Sequence, residues 1–65
     1  MDLKELRKKR GMTRVELAEK AGVNVRTIEA YEQGLKDINR ASVITVYRLS
    51  KALKCAMEDL MDIES

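Results

Sequence analysis

Histidine, proline, tryptophan and phenylalanine are all missing from this 65-residue chain, and cysteine occurs once. Each absence removes a class of chemistry. With no imidazole and a single thiol, a Cys/His metal cluster cannot be assembled, and acid–base schemes that need histidine are excluded. Cys55 has no second thiol to pair with, so no internal disulfide staples the fold. A small protein without that staple suits a reducing cytoplasm. No apolar run approaches the ~18 residues of a membrane span, and no basic start, apolar middle and cleavage site mark a secretory leader. The expectation is a cytoplasmic protein that is not an enzyme, with no cofactor and no membrane association.

What the chain does have is charge and aliphatic side chains: 45% apolar, 37% charged and a net charge of +2. Its length allows one domain, residues 1–65, and a domain this small buries only ~60% of its unfolded surface, so its helices must be well capped. The charge is unevenly spread. Up to Lys36 there are nine Lys/Arg against six Asp/Glu, and from Asp37 onward four against five. Glu58, Asp59, Asp62 and Glu64 close the chain with no base among them. One end is thus suited to a polyanion, although a sum this small also fits an ordinary solvated surface.

Spacing predicts five short helices. Asp2 with Glu5 forms an N-cap and capping-box pair ahead of Leu3 and Leu6. Lys8, Lys9 and Arg10 then suit the negative helix end, and Gly11 stops it. Thr13 with Glu16 repeats the box for a helix bearing Leu17, Ala18 and Ala21, stopped by Gly22. Asn24 caps the segment Val25 to Gln33, with Ile28 and Tyr31 on one face and Gly34 as its stop. Two helices joined this tightly must cross steeply, the geometry of a helix-turn-helix over residues 13–33. After a polar connection, Ala41–Lys54 places Val43, Val46, Leu49, Ser50 and Leu53 on one stripe, capped by Asn39 or Ser42. A last helix, about Ala56–Ile63, offers Met57 and Leu60 to the core, and Cys55 fills a gap beside it.

The segment from Arg14 to Glu32, with Ala18 where two helices nearly touch, Gly22 in the turn, the apolar set Leu17, Val23, Ile28 and Tyr31, and Glu32-Gln33-Gly34 at its close, resembles the phage-repressor/Cro helix-turn-helix family of the xenobiotic-response-element type. The resemblance covers about Leu3 to Met61. It implies an all-α, compact five-helix bundle of the lambda-repressor-like DNA-binding type that acts on double-stranded DNA as a transcriptional regulator, a repressor at a promoter.

On that resemblance the second helix of the pair enters the major groove. Val25, Arg26, Glu29 and Ala30 are then the base-contacting candidates, and Arg26 leads because its fork matches guanine O6 and N7. Thr13, Arg14, Asn24, Thr27, Lys36, Asn39 and Arg40 are the phosphate candidates, Thr13 and Arg14 lying at a positive helix end. Arg14 stands where the family usually has glutamine, which favours a plain ionic contact. Arg7 and Glu32 occupy positions that in the family form a partly buried, structural ion pair. Lys8 reads as solubilising.

Three departures accompany the resemblance. The link after Gly34 is longer than the common form and lacks its proline. Lys54 replaces the glycine that ends the fourth helix, and Ala56 replaces the serine cap of the fifth. Met61, Ile63, Ile44 and Tyr47 fall outside the core stripes and suggest a homodimer through the C-terminal region on a palindromic operator. An antitoxin that also binds a toxin, or a protein-interaction module that has lost DNA affinity, are the alternative functions.

Overall fold

The structure, a computed structural model, describes residues 2–61. Four α-helices follow one another: α1 Leu3–Lys9, α2 Arg14–Ala21, α3 Val25–Glu32 and α4 Val43–Leu53. Single 3-10 turns occupy Ile38–Arg40 and Met57–Asp59, and no strand occurs among the described residues.

Short helices of this kind are marginal alone, and each here begins on a side-chain cap. Asp2 Oδ1 accepts from Glu5 N–H at 2.9 Å to open α1. Thr13 Oγ1 accepts from Glu16 N–H at 3.1 Å while Glu16 Oε1 accepts from Thr13 N–H at 3.0 Å, a complete capping box. The bond from Thr13 N–H, helped by the Thr13 side chain, also holds the Glu16 carboxyl below its ordinary pKa. Asn24 Oδ1 caps α3 through Arg26 N–H at 2.8 Å. Of the two candidates for α4 it is Ser42 that caps, its Oγ accepting from Thr45 N–H at 3.2 Å. Gly22 ends α2 at φ 68°, and a Cβ there would meet no atom within 4 Å, so backbone conformation rather than space is what calls for glycine.

The core gathers Leu3 and Leu6 of α1, Leu17, Ala18 and Ala21 of α2, Ile28 of α3, Val46, Leu49 and Leu53 of α4, and Leu60. Met12, unassigned in the sequence reading, joins them from the α1–α2 link. Ser50 is buried on the same stripe, its hydroxyl donating to Tyr47 C=O at 2.7 Å. Val43 departs from the expected stripe: it is the first residue of α4, beyond the reach of the packed helices, and is 73% exposed.

The larger correction concerns the fifth helix. The expected Ala56–Ile63 element is a single 3-10 turn, Met57–Asp59, and the chain is already non-helical at Leu60 and Met61; Ile63 lies outside the described residues. Ala56 has no polar side-chain group with which to cap. Only the return bond exists, Asp59 Oδ2 accepting from Ala56 N–H at 2.9 Å, so propagation beyond one turn is not supported. Leu60 is buried and Met57 half-buried against the core all the same. Cys55 is likewise half-buried against it, and burial pushes its thiol pKa up, as fits a packing residue.

The end of α4 is held from a distance. Arg10 Nε donates to Leu53 C=O at 2.7 Å and its Nη2 to Lys54 C=O at 3.2 Å. A guanidinium from the end of α1 thereby satisfies terminal carbonyls of α4 and opposes the negative end of its dipole. Lys54 itself sits in the left-handed region at φ 54°, ψ 48°, and is the one non-glycine with positive φ among the described residues. An L side chain there costs roughly 1 kcal/mol. Lys54→Gly is therefore expected to raise stability by about 1 kcal/mol, moving the thermal midpoint up by ~4–8 °C for a domain of this size. An unchanged or lowered midpoint in calorimetry contradicts this.

Candidate nucleic-acid interface

Ile28, fully buried, fixes which way α3 faces. With Ile28 directed at the core and Tyr31 half-buried beside it, the opposite surface of a 3.6-residue helix carries Arg26, Glu29 and Ala30. Arg26 is exposed in the first turn, and its side chain makes no hydrogen bond or ion pair among the described residues. Glu29, three residues after Arg26, makes no ion pair with it among the described residues and is half-buried, as are Ala30 and Thr27. Val25 is half-buried and packs against the core.

The C-terminal end of α3 is tied down by charge. Glu32 has a side chain only 1% exposed, and Arg7 binds it with a fork: Nε to Oε2 at 2.7 Å and Nη2 to Oε1 at 3.0 Å. The remaining Arg7 nitrogen, Nη1, donates to Met12 C=O at 2.9 Å. Arg14 joins the same carboxylate, Nε to Oε1 at 3.1 Å. Burial alone would raise the Glu32 pKa, but the bonds from Arg7 and Arg14 outweigh it and hold the carboxyl below its ordinary value. Arg7 is correspondingly held above its own, chiefly by its bond to Glu32. The three residues link α1, α2 and α3 at one point.

Arg14, expected from the resemblance as a phosphate contact, also serves this intramolecular ion pair. Its Nε is committed to Glu32, while its side chain stays 37% exposed at the start of α2. At that positive helix end Thr13 N–H is occupied by the Glu16 carboxylate. Beyond α3 the amides of Leu35 and Lys36 both bond Ala30 C=O, at 2.8 and 3.2 Å, which hooks the following link onto α3. Lys36, Asn39 and Arg40 are exposed along that link and its 3-10 turn, which Asp37 caps through Asn39 N–H at 2.9 Å. Asn24 is exposed at the head of α3.

Two contacts had no sequence signal: Arg14 to Glu32, separated by 18 residues, and Arg10 to α4, separated by 43 or more. Among the described residues no group of His, Cys, Asp or Glu side chains is placed to hold a metal ion, and no helix is long and apolar enough to cross a membrane.

A family model described as helix-turn-helix matches the chain over residues 3–60. No curated protein matches it.

Glu32→Ala strands Arg7 without its partner in a buried setting, and a stability loss of ~3–5 kcal/mol is expected in chemical denaturation; an unchanged midpoint would refute the structural role. Because the Glu32 pKa is lowered by folding, its contribution is complete above the unfolded-state value and is lost as pH falls through the folded one. Stability should therefore decline steadily below about pH 5, and Glu32→Gln should show a shallower decline over that acid range.

Proposed function

The chain belongs to the Cro/C1-type helix-turn-helix family, also called the XRE family, and from that premise we propose that residues 1–65 form one DNA-binding unit that recognises double-stranded DNA sequence-specifically and represses transcription by occupying a promoter. The reading is carried by α3: buried along Ile28, clamped at its end by Arg7 and Arg14, and presenting an unpaired Arg26 on its first turn. A helix held rigidly from behind with a bidentate donor at its N-terminal end suits major-groove entry.

In this reading Arg26 bonds a guanine edge, and Glu29 and Ala30 flank it, Glu29 accepting from cytosine N4 or rejecting other bases. Val25 contributes at most the edge of its methyls, since its packing against the core limits its reach. Arg14, oriented by Glu32, offers its outer nitrogens to a phosphate, and Lys36, Asn39 and Arg40 meet the backbone on the far side of α3. Thr13, Asn24 and Thr27 complete the phosphate set as polar neighbours. One recognition helix supplies little specificity, so the proposal includes a homodimer reading two half-sites ~34 Å apart. Ile44 at 61% and Tyr47 at 50% exposure on α4 support a contact in the C-terminal half.

Selection of bound sequences from random duplexes is expected to yield a palindrome. Arg26→Ala should relax preference at one position per half-site, by ~1–3 kcal/mol, with little change elsewhere; equal weakening on every sequence argues against base reading. Arg14→Gln should weaken all sequences alike and reduce the slope of log affinity against log salt by about one. Failure of the wild-type chain to bind any duplex points instead to a protein-interaction module, and sedimentation as a monomer both free and on operator DNA removes the dimer.

A further inference from the structure

Away from α3, a cavity of about 110 Å³ opens where α1, α2 and α4 end, lined by Arg10, Met12, Lys20, Ala52 and Lys54. Three of its five lining residues are cationic, and none is acidic. Cations at helix C-termini have an ordinary explanation in the dipole, so the magnitudes matter. Three helix ends carry together about −1.5 elementary charges, against +3 from the side chains. Arg10 already answers the carbonyls of Leu53 and Lys54 with Nε and Nη2. The Lys20 and Lys54 ammonium groups make no ion pair among the described residues, where both ion pairs end on Glu32. Lys20 also feels the Glu16 carboxylate one turn earlier in α2, but no acidic residue lines the cavity itself. The cationic residues around it therefore repel one another unless something negative lies between them.

Lys54 adds an independent observation. It holds the one left-handed backbone among the described non-glycine residues, at a helix end where glycine would sit without strain. Strain of that kind persists where a side chain is needed, and this side chain lines the cavity. We propose that the Arg10–Lys20–Lys54 cavity binds a small oxyanion, a phosphate-sized group on a free small molecule. At about 110 Å³ the cavity is far below the ~300 Å³ where pockets for whole drug-sized ligands begin, a size that suits a single phosphoryl or comparable head group. No residue of α3 lines the cavity, and the inference stands or falls independently of DNA recognition.

The test is a titration of the ¹⁵N-labelled chain with inorganic phosphate, against sodium chloride at matched ionic strength. Saturable shifts at the amides of Arg10, Met12, Lys20, Ala52 and Lys54, absent with chloride, are expected. In a Lys20→Gln/Lys54→Gln variant, whose dispersed spectrum shows that it folds, affinity should drop at least tenfold; either single variant should lose part of it. Shifts that fail to saturate, that centre on α3 and Thr13, or that persist unchanged in the double variant overturn the proposal. A short duplex added in a parallel titration separates the sources of phosphate. Lining-residue shifts from the duplex equal to those from free phosphate would assign the cavity to the DNA backbone and overturn the small-molecule reading.

Discussion

A buried carboxylate is unfavourable unless it is paired and hydrogen-bonded, and Glu32 meets that requirement with three bonds from two arginines on two other helices. The consequences spread outward from that one demand. Arg7 must leave the solvent face of α1 and turn inward, where its third nitrogen fastens the carbonyl of Met12 and so fixes the α1–α2 link. Arg14 must lean across from the first turn of α2. Glu32 is the last residue of α3, so the helix with the exposed arginine is held at its far end by charge and along its middle by Ile28. The pairing also carries an excess of one positive charge over neutrality, and that excess emerges at the surface through Arg14 rather than through the fully engaged Arg7.

Local chemistry explains which parts of this arrangement were legible in the residues. The N-terminal caps Asp2, Thr13 and Asn24 each act within three residues, so the starts of α1, α2 and α3 follow from short-range pattern. The stripe Val46, Leu49, Ser50 and Leu53 was legible for the same reason, since period alone sets it. Val43 was misplaced because period says which face a residue shares but not whether a neighbouring helix extends that far. The missing fifth helix is the same lesson at a terminus: the burial of Leu60 was legible, but the weak start at Ala56 decides how far helix propagates. Arg7 with Glu32 came from family resemblance, whereas the bonds of Arg14 to Glu32 and of Arg10 to α4 were not legible because long flexible side chains reaching across the fold leave no periodic trace.

The candidate interface divides along similar lines. Arg26 and the cations after Gly34 lie on exposed surface, which helical geometry and polar composition anticipate. Val25 does not stand as free as its position suggests, because a first-turn residue next to a tight inter-helix connection is pulled toward the core that the connection encloses. The lengthened link after Gly34 is not loose: one carbonyl, that of Ala30, receives two successive amides and holds the start of the link against α3.

The bonds from Arg10 to the last carbonyls of α4 close a circuit through most of the polypeptide. Detachment of the leading helix, by proteolytic clipping or by displacement against a partner, would uncover the terminal peptide groups of a helix four elements downstream. Fraying at the two extremities of the molecule is thereby coupled, and hydrogen exchange near Leu53 would report on the integrity of a segment more than forty residues earlier in the chain.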